Sequence, residues 1–361
     1  MFWSVNWCIE GNNAWFVGGE LEMLFCVDLN NFIVKLVSFL PVNDLDMYKK
    51  YSYCEMIDNK IFCLPDKGKD IFVYNLNDNS WDKIQIESDE EIRLEIKKIK
   101  KINNRLYAFS KGIGKMISIS AEDYNDVSYY SVLESVGQPI ASAWDEEKYI
   151  VLKGNIKYEF DCRYNKITKY SLELDSLPRT NMCCDKDGIW LTGFDNKIIN
   201  LSYNNEVREF TFLLQYLNEN EKVSDLWITS KNSEDPVFID CISLEKSVWF
   251  IPLLSKNIIG ILKDKQEMYY NSENAECIQK KEDIRRWMCS GQFSLLGKRE
   301  ERYLYLYSFS LYKVVIFDTW KLEYEIKTLY FDNAIYKDIF TLKNIINEDR
   351  DYDLSRFLEI I

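Results

Sequence analysis

The chain has 361 residues, 47% of them hydrophobic and 15% aromatic, enough for a large core and too many for a disordered chain. A net charge of −13 argues against generic polyanion binding. The absence of histidine removes every Ser-His-Asp or Cys-His catalytic device, every His-ligated metal site and the commonest general base.

The chain opens Met1-Phe2-Trp3-Ser4-Val5-Asn6-Trp7, without a basic segment followed by a long apolar stretch, so no signal peptide is expected. No run reaches the ~18 apolar residues of a membrane span. The ten cysteines are scattered, none in a Cys-x-x-Cys pair, so zinc is not expected. Free thiols without a leader fit a reducing cytoplasm. The vicinal pair Cys183-Cys184 reads either as a redox-active pair or as one thiol on each face of a strand.

From the N-terminus onward, one signal recurs: a polar turn followed by an aromatic or β-branched run. It begins as Gly11-Asn12-Asn13-Ala14-Trp15 and returns as Asp58-Asn59-Lys60-Ile61 and Asn103-Asn104-Arg105-Leu106. Further on it reads Glu146-Glu147-Lys148-Tyr149, Lys186-Asp187-Gly188-Ile189, Glu245-Lys246-Ser247-Val248 and Glu300-Glu301-Arg302-Tyr303. Asn and Asp tolerate the positive φ of a tight hairpin, and the residues after them favour strands. Between Trp15, Ile61, Leu106, Tyr149, Ile189, Val248 and Tyr303 the steps are 46, 45, 43, 40, 59 and 55. A second marker, the apolar strand that ends in another polar turn, gives Val27, Tyr74, Ile119, Phe160, Leu201, Ile261 and Phe317. Its steps are 47, 45, 41, 41, 60 and 56.

Each unit reads as four strands; in unit two they cover residues 51–57, 60–64, 70–76 and 81–86. Seven four-stranded units of roughly 40–50 residues indicate an all-β fold, a seven-bladed β-propeller over residues 1–331. A six-bladed propeller with a separate end and a pair of β-sandwiches are the competing folds. The inner strand of blade one is expected within residues 2–9 and the outer strand of blade seven within 322–329, so the ring closes without strand exchange. Beyond Phe331, Ile335, Ile339, Leu342 and Ile346 recur at helical spacing, as do Leu354, Phe357, Leu358 and Ile361. Residues 332–361 therefore predict a short helical tail packed on the propeller.

Two features of this chain resemble the kelch-type propellers, the group that includes the galactose oxidase central domain. Unit one has the diglycine of Ala14-Trp15-Phe16-Val17-Gly18-Gly19, and unit two the Tyr-x6-Trp spacing of Tyr74 and Trp81. No unit has both. The resemblance implies the propeller fold; the copper site of the galactose oxidase relatives needs histidines, which this chain lacks. Asp185-Lys186-Asp187-Gly188-Ile189-Trp190 comes nearest to the sialidase turn Ser-x-Asp-x-Gly-x-x-Trp, with different spacing.

The two long steps locate insertions at residues 215–236 and 271–290, each joining an outer strand to the next inner strand. In a propeller that connection shares a face with the loops between second and third strands, where ligands usually bind. Lysines recur in those loops, among them Lys115, Lys197 and Lys313, either as an anion-binding rim or as ordinary solvated turn residues. Trp227 and Trp287 are large apolar residues inside the polar insertions, and Trp287 follows Arg285 and Arg286. These residues read either as contacts for a partner or as anchors of the insertions. The expected function is a non-catalytic cytoplasmic platform for a protein, peptide or glycan, without cofactor, metal, nucleic acid or membrane. The competing reading is a carbohydrate-active hydrolase or lyase using Asp and Glu as acid and base.

Overall fold

In the computed structural model, residues 6–18, 22–42, 51–65, 70–86, 94, 96–133, 140–172, 179–193, 195–204, 206–211, 238–252, 258–265, 267–270, 293–308 and 313–331 are described. Both insertions and the tail expected to be helical lie outside them. The described residues form seven antiparallel four-stranded sheets, each from four consecutive strands. The chain is an all-β, seven-bladed propeller.

The inner strands are Cys8–Glu10, Tyr51–Ile57, Ile96–Ile102, Ile140–Asp145, Arg179–Asp185, Phe238–Ser243 and Phe293–Arg299. Those of blades one to six lie successively side by side, and that of blade seven packs on the inner strand of blade one. The closing hydrogen bond runs from Trp7 N to Leu296 O at 2.7 Å. Among the described residues, no strand is exchanged to complete a four-stranded sheet. A short fifth strand, Tyr330–Phe331, is added outside blade one, parallel to Ile33–Phe39. The unit-two strands are Tyr51–Ile57, Lys60–Pro65, Asp70–Asn75 and Ser80–Gln85, within a residue of the sequence expectation at each boundary.

Burial explains why these strands are legible. Second and third strands lie between neighbouring blades and are covered on both faces, so Lys60–Pro65 and Asp70–Asn75 are almost continuously apolar. The outer strand Ser80–Gln85 is exposed except at Ile84 and, partly, Trp81. The core is therefore a set of inter-blade clusters, such as Phe16, Phe25, Tyr305 and Tyr307 between blades one and seven. At the contact of blades six and seven, Trp249 is fully buried and meets Phe317 edge to face at 4.7 Å. Gly260 lies opposite Trp249 in the ladder, and a Cβ there would run into the indole.

Two turn designs repeat. First hairpins use positive φ, at both Asp58 and Asn59 and at both Glu300 and Glu301. The hairpin between third and outer strands opens on an Asx turn in four blades. Asp28, Asn75, Asp161 and Asp318 accept the N–H of Asn30, Asn77, Arg163 and Trp320 at 2.9–3.0 Å. Two residues further on, Phe32, Asn79, Asn165 and Leu322 take positive φ. This hairpin also explains the Tyr-x6-Trp spacing, because it sets Tyr74 opposite Trp81, with ring centroids 4.9 Å apart.

The Glu300-Glu301 hairpin uses residues poorly suited to it. Asn at 300 with Gly at 301 is expected to raise stability by about 1 kcal/mol, since a non-glycine residue in the left-handed region is costly. The exposed Lys298–Glu301 pair (2.5 Å) is lost, at little cost. Urea unfolding of the double variant checks this, and an unchanged or lower midpoint counts against it.

Candidate binding groove between blades five and six

The seven candidate site residues from the sequence fall into two groups. Lys115, Lys197 and Lys313 each open the third strand of their blade, in Lys115–Ser120, Lys197–Leu201 and Lys313–Asp318. They lie at one end of their sheets, as the first residue of a strand and not in the loop before it. That end is partly neutralised: Lys197 pairs with Glu209 at 2.8 Å, and blade two has Asp70 at the equivalent place, paired with Lys83 at 2.8 Å. Trp227, Arg285, Arg286 and Trp287 lie outside the described residues.

Around the axis the inner strands carry charge that the turn-based reading of the sequence missed. Lys98 of blade three reaches Asp240 of blade six at 3.3 Å, an ion pair across the ring. Asp240 holds the Lys98 ammonium above its usual range. Near the end of the ring that carries the first hairpins, Glu55 is half-buried, and burial pushes its carboxyl up to about 7. The Met56 amide, Lys101 and the Cys8 thiol work against that rise, and Glu10 adds to it. The signal available for the lysines was the run Ile96-Lys97-Lys98-Ile99-Lys100-Lys101-Ile102, where a buried strand would be apolar.

The same end of the molecule holds a cavity of about 280 Å³ between blades five and six. One side of it is the first hairpin of blade five, between Arg179–Asp185 and Gly188–Gly193. Gly188 has φ +137°, and a Cβ there would collide with the Leu201 backbone, so only glycine lets this turn close on the third strand. The turn fixes Asp185, whose carboxylate accepts bonds from Trp190 Nε1 at 2.9 Å and Ser243 Oγ at 3.1 Å and pairs with Lys263 Nζ at 2.8 Å. Lys263 also donates to Ser243 Oγ at 2.9 Å and Leu244 O at 2.6 Å. Both charged side chains are at most 10% exposed, so this pair joins blade five to blade six in a setting where every donor and acceptor counts. The Asp185-to-Trp190 stretch thus works as a hydrogen-bonded turn of its own spacing.

Strand alternation puts the remaining wall residues on one face of blade five. Trp190, Asn200 and Arg208 are successive partners across three strands, and Phe210 lies two residues beyond Arg208. Trp190 stacks obliquely on Phe210 at 5.7 Å, with Ile261 and Lys263 of blade six opposite. Asn200 is 4% exposed and lines the cavity, and its Nδ2 has no hydrogen-bond partner among the described residues. Arg208 is half-exposed and meets Glu206 at 3.9 Å. Asp187 and Glu206 complete the rim. The groove thus offers an apolar wall, a buried amide donor and a guanidinium. Its one clue in the sequence was Asn200 inside the apolar run Ile198-Ile199-Asn200-Leu201.

Cys183 is buried against blade six and Cys184 packs towards blade four, one thiol on each face of the strand as expected. Further round the same end, Trp320 is half-exposed, with Lys246 4.3 Å and Arg302 4.9 Å from its ring centre.

No family model matches the chain, and no curated protein matches it in sequence. Solved structures do. Virginiamycin B lyase from Staphylococcus aureus superposes with a TM-score of 0.60 at 11% identity, covering 86% of this chain and 92% of that one. A catalytically inactive His-to-Ala variant of that enzyme with quinupristin superposes at 0.58 and 10% identity, covering 84% and 90%. YCF48 bound to D1 peptide gives 0.54 at 12% identity, covering 84% and 88%. At these identities the likeness is one of fold: the chain is similar to these propellers in architecture.

Proposed function

We propose that this protein is a non-catalytic propeller that binds a protein or peptide partner in the groove between blades five and six. The observation that carries the reading is the buried amide of Asn200 beside the half-exposed Arg208, two donors set against an apolar wall. A fold neighbour bound to a peptide supports it. The missing histidine sets the chain apart from the lyase neighbour, which is catalytically inactive when one histidine becomes alanine. A glycan fits less well, because Trp190 is only 5% exposed and offers no open ring face for a sugar. A cytoplasmic setting and kinship with the kelch group, resting on Gly18-Gly19 and Tyr74 with Trp81, belong to the same proposal.

The carboxylate-enzyme reading keeps one specific observation, the Glu55 carboxyl raised to about 7 near the axis. The insertion face, with Trp287 and Arg285, is the second surface to be tested. The experiment compares wild type with Phe210→Ala/Arg208→Glu and with Arg285→Ala/Trp287→Ala on peptide and glycan arrays, alongside a chromogenic glycoside screen. The expected result is peptide binding that falls at least about tenfold in the groove variant only. Glycoside turnover abolished by Glu55→Gln overturns the non-catalytic reading. A loss of about 2 kcal/mol in the Arg285/Trp287 variant alone moves the site to the other face.

A further inference from the structure

We infer that the groove between blades five and six recognises a carboxylate flanked by an apolar side chain, with Asn200 and Arg208 as the carboxylate's donors. The inference deepens the binding reading above and rests on it.

Asn200 is the starting point. A primary amide buried to 4% exposure has lost its water, and an Nδ2 without an acceptor leaves that loss uncompensated. The strand pairings that build the wall set it between Trp190 and Arg208, so its neighbours are an aromatic ring and a cation. Nδ2 has only protons to offer, so a ligand atom placed there must be an acceptor. Arg208 on the adjacent strand also offers only protons, and its contact with Glu206 at 3.9 Å is long and exposed on both sides. Two neighbouring donors, one of them cationic, are satisfied together by a single carboxylate, whose two oxygens can take one donor each.

The other residues narrow the class. Lys263 is spoken for, with Asp185, Ser243 and Leu244 as partners, so the site's usable positive charge is that of Arg208. One carboxylate therefore fits better than a phosphate, which would bring close to two charges. Phe210 and Ile261 give the ligand's apolar part a place beside the carboxylate. A volume of about 280 Å³ suits one or two residues of a peptide rather than a larger body. Glu206 and Asp187 on the rim are acceptors, matching the N–H groups of a peptide arriving from outside and repelling a ligand with a second negative charge. The carboxylate comes either from a peptide C-terminus or from an Asp or Glu side chain, and the two sources share this chemistry.

The test is calorimetric titration of the full chain with three blocked dipeptides. Acetyl-Ala-Leu with a free C-terminus presents a terminal carboxylate, acetyl-Leu-Glu-amide a side-chain one, and acetyl-Ala-Leu-amide none. Saturable binding is expected for at least one carboxylate probe, at least about tenfold tighter than for the amide, and which of the two binds identifies the source. Asn200→Asp keeps the size but replaces the donor with an anion, so it should weaken that binding at least about tenfold with an unchanged circular dichroism spectrum. Arg208→Gln, on an exposed outer strand, repeats the test where folding is not at stake. Equal binding of the amide probe overturns the carboxylate inference and leaves the groove a binding site. Carboxylate binding that survives both Asn200→Asp and Arg208→Gln overturns the assignment of the donors. No saturable binding of any probe overturns the inference as a whole, and the arrays above then decide separately whether the groove binds a larger partner.

Discussion

Replacing Lys263 with methionine is expected to destabilise the folded protein by about 3 kcal/mol or more. The substitution leaves the Asp185 carboxylate, at 7% exposure, without its counter-ion. It also strips a donor from Ser243 Oγ and Leu244 O at the seam of blades five and six. Two neutral donors, Trp190 Nε1 and Ser243 Oγ, remain on Asp185 and cannot balance a buried negative charge. Adding Asp185→Asn to Lys263→Met removes that charge and should recover at least half the loss, the signature of a coupled pair. Denaturant unfolding of the two single variants and the double variant measures all three terms. A loss below about 1 kcal/mol for Lys263→Met would place the pair among exposed bridges of small worth.

A second large effect belongs to Glu55. Its carboxyl sits at about 7 in the folded chain against an ordinary 4.5, chiefly because burial disfavours the anion. A carboxyl whose pKa is raised on folding binds its proton more tightly in the native state. Its contribution to stability is complete below about 4.5 and is lost as the pH rises through about 7. Wild type and Glu55→Gln should therefore be equally stable near pH 4.5, and the variant should gain across that window. At pH 8 the variant should be the more stable by about 2 kcal/mol, less than the full shift implies because the side chain is only half-buried. Thermal unfolding of both proteins across that range checks the sign, and a variant less stable at pH 8 would contradict it. The protonated carboxyl would also be the first candidate acid if the glycoside screen returned turnover.

The architecture was legible because a propeller is written locally. Each blade needs two tight hairpins and two strands covered on both faces. Asp58-Asn59 and the apolar runs of residues 60–64 and 70–74 announce both within a few residues of each other. The period, the blade number and the unit-two strands followed from that, and so did closure without exchange. The parallel fifth strand at Tyr330–Phe331 had no such signal, since two residues carry no alternation to read. The Asx turns at Asp28, Asn75, Asp161 and Asp318 each follow directly on a residue of the second marker series, Val27, Tyr74, Phe160 and Phe317, so that the sequence showed where these hairpins lie and the structure showed the side-chain bond that opens them.

The groove was not legible, and the reason is distance along the chain. Asn200 becomes a buried donor only when blade six covers it, Asp185 meets Lys263 through a turn closed by Gly188, and Lys98 finds Asp240 across 142 residues. Sequence by itself determined how each blade folds, because hairpin φ preferences and strand alternation act between neighbours. Which polar side chains share a seam was decided only by the packing of blade against blade, which brings strands distant in sequence within hydrogen-bonding distance. The worth of a buried charge or amide depends on those partners and not on the residues beside it in the chain.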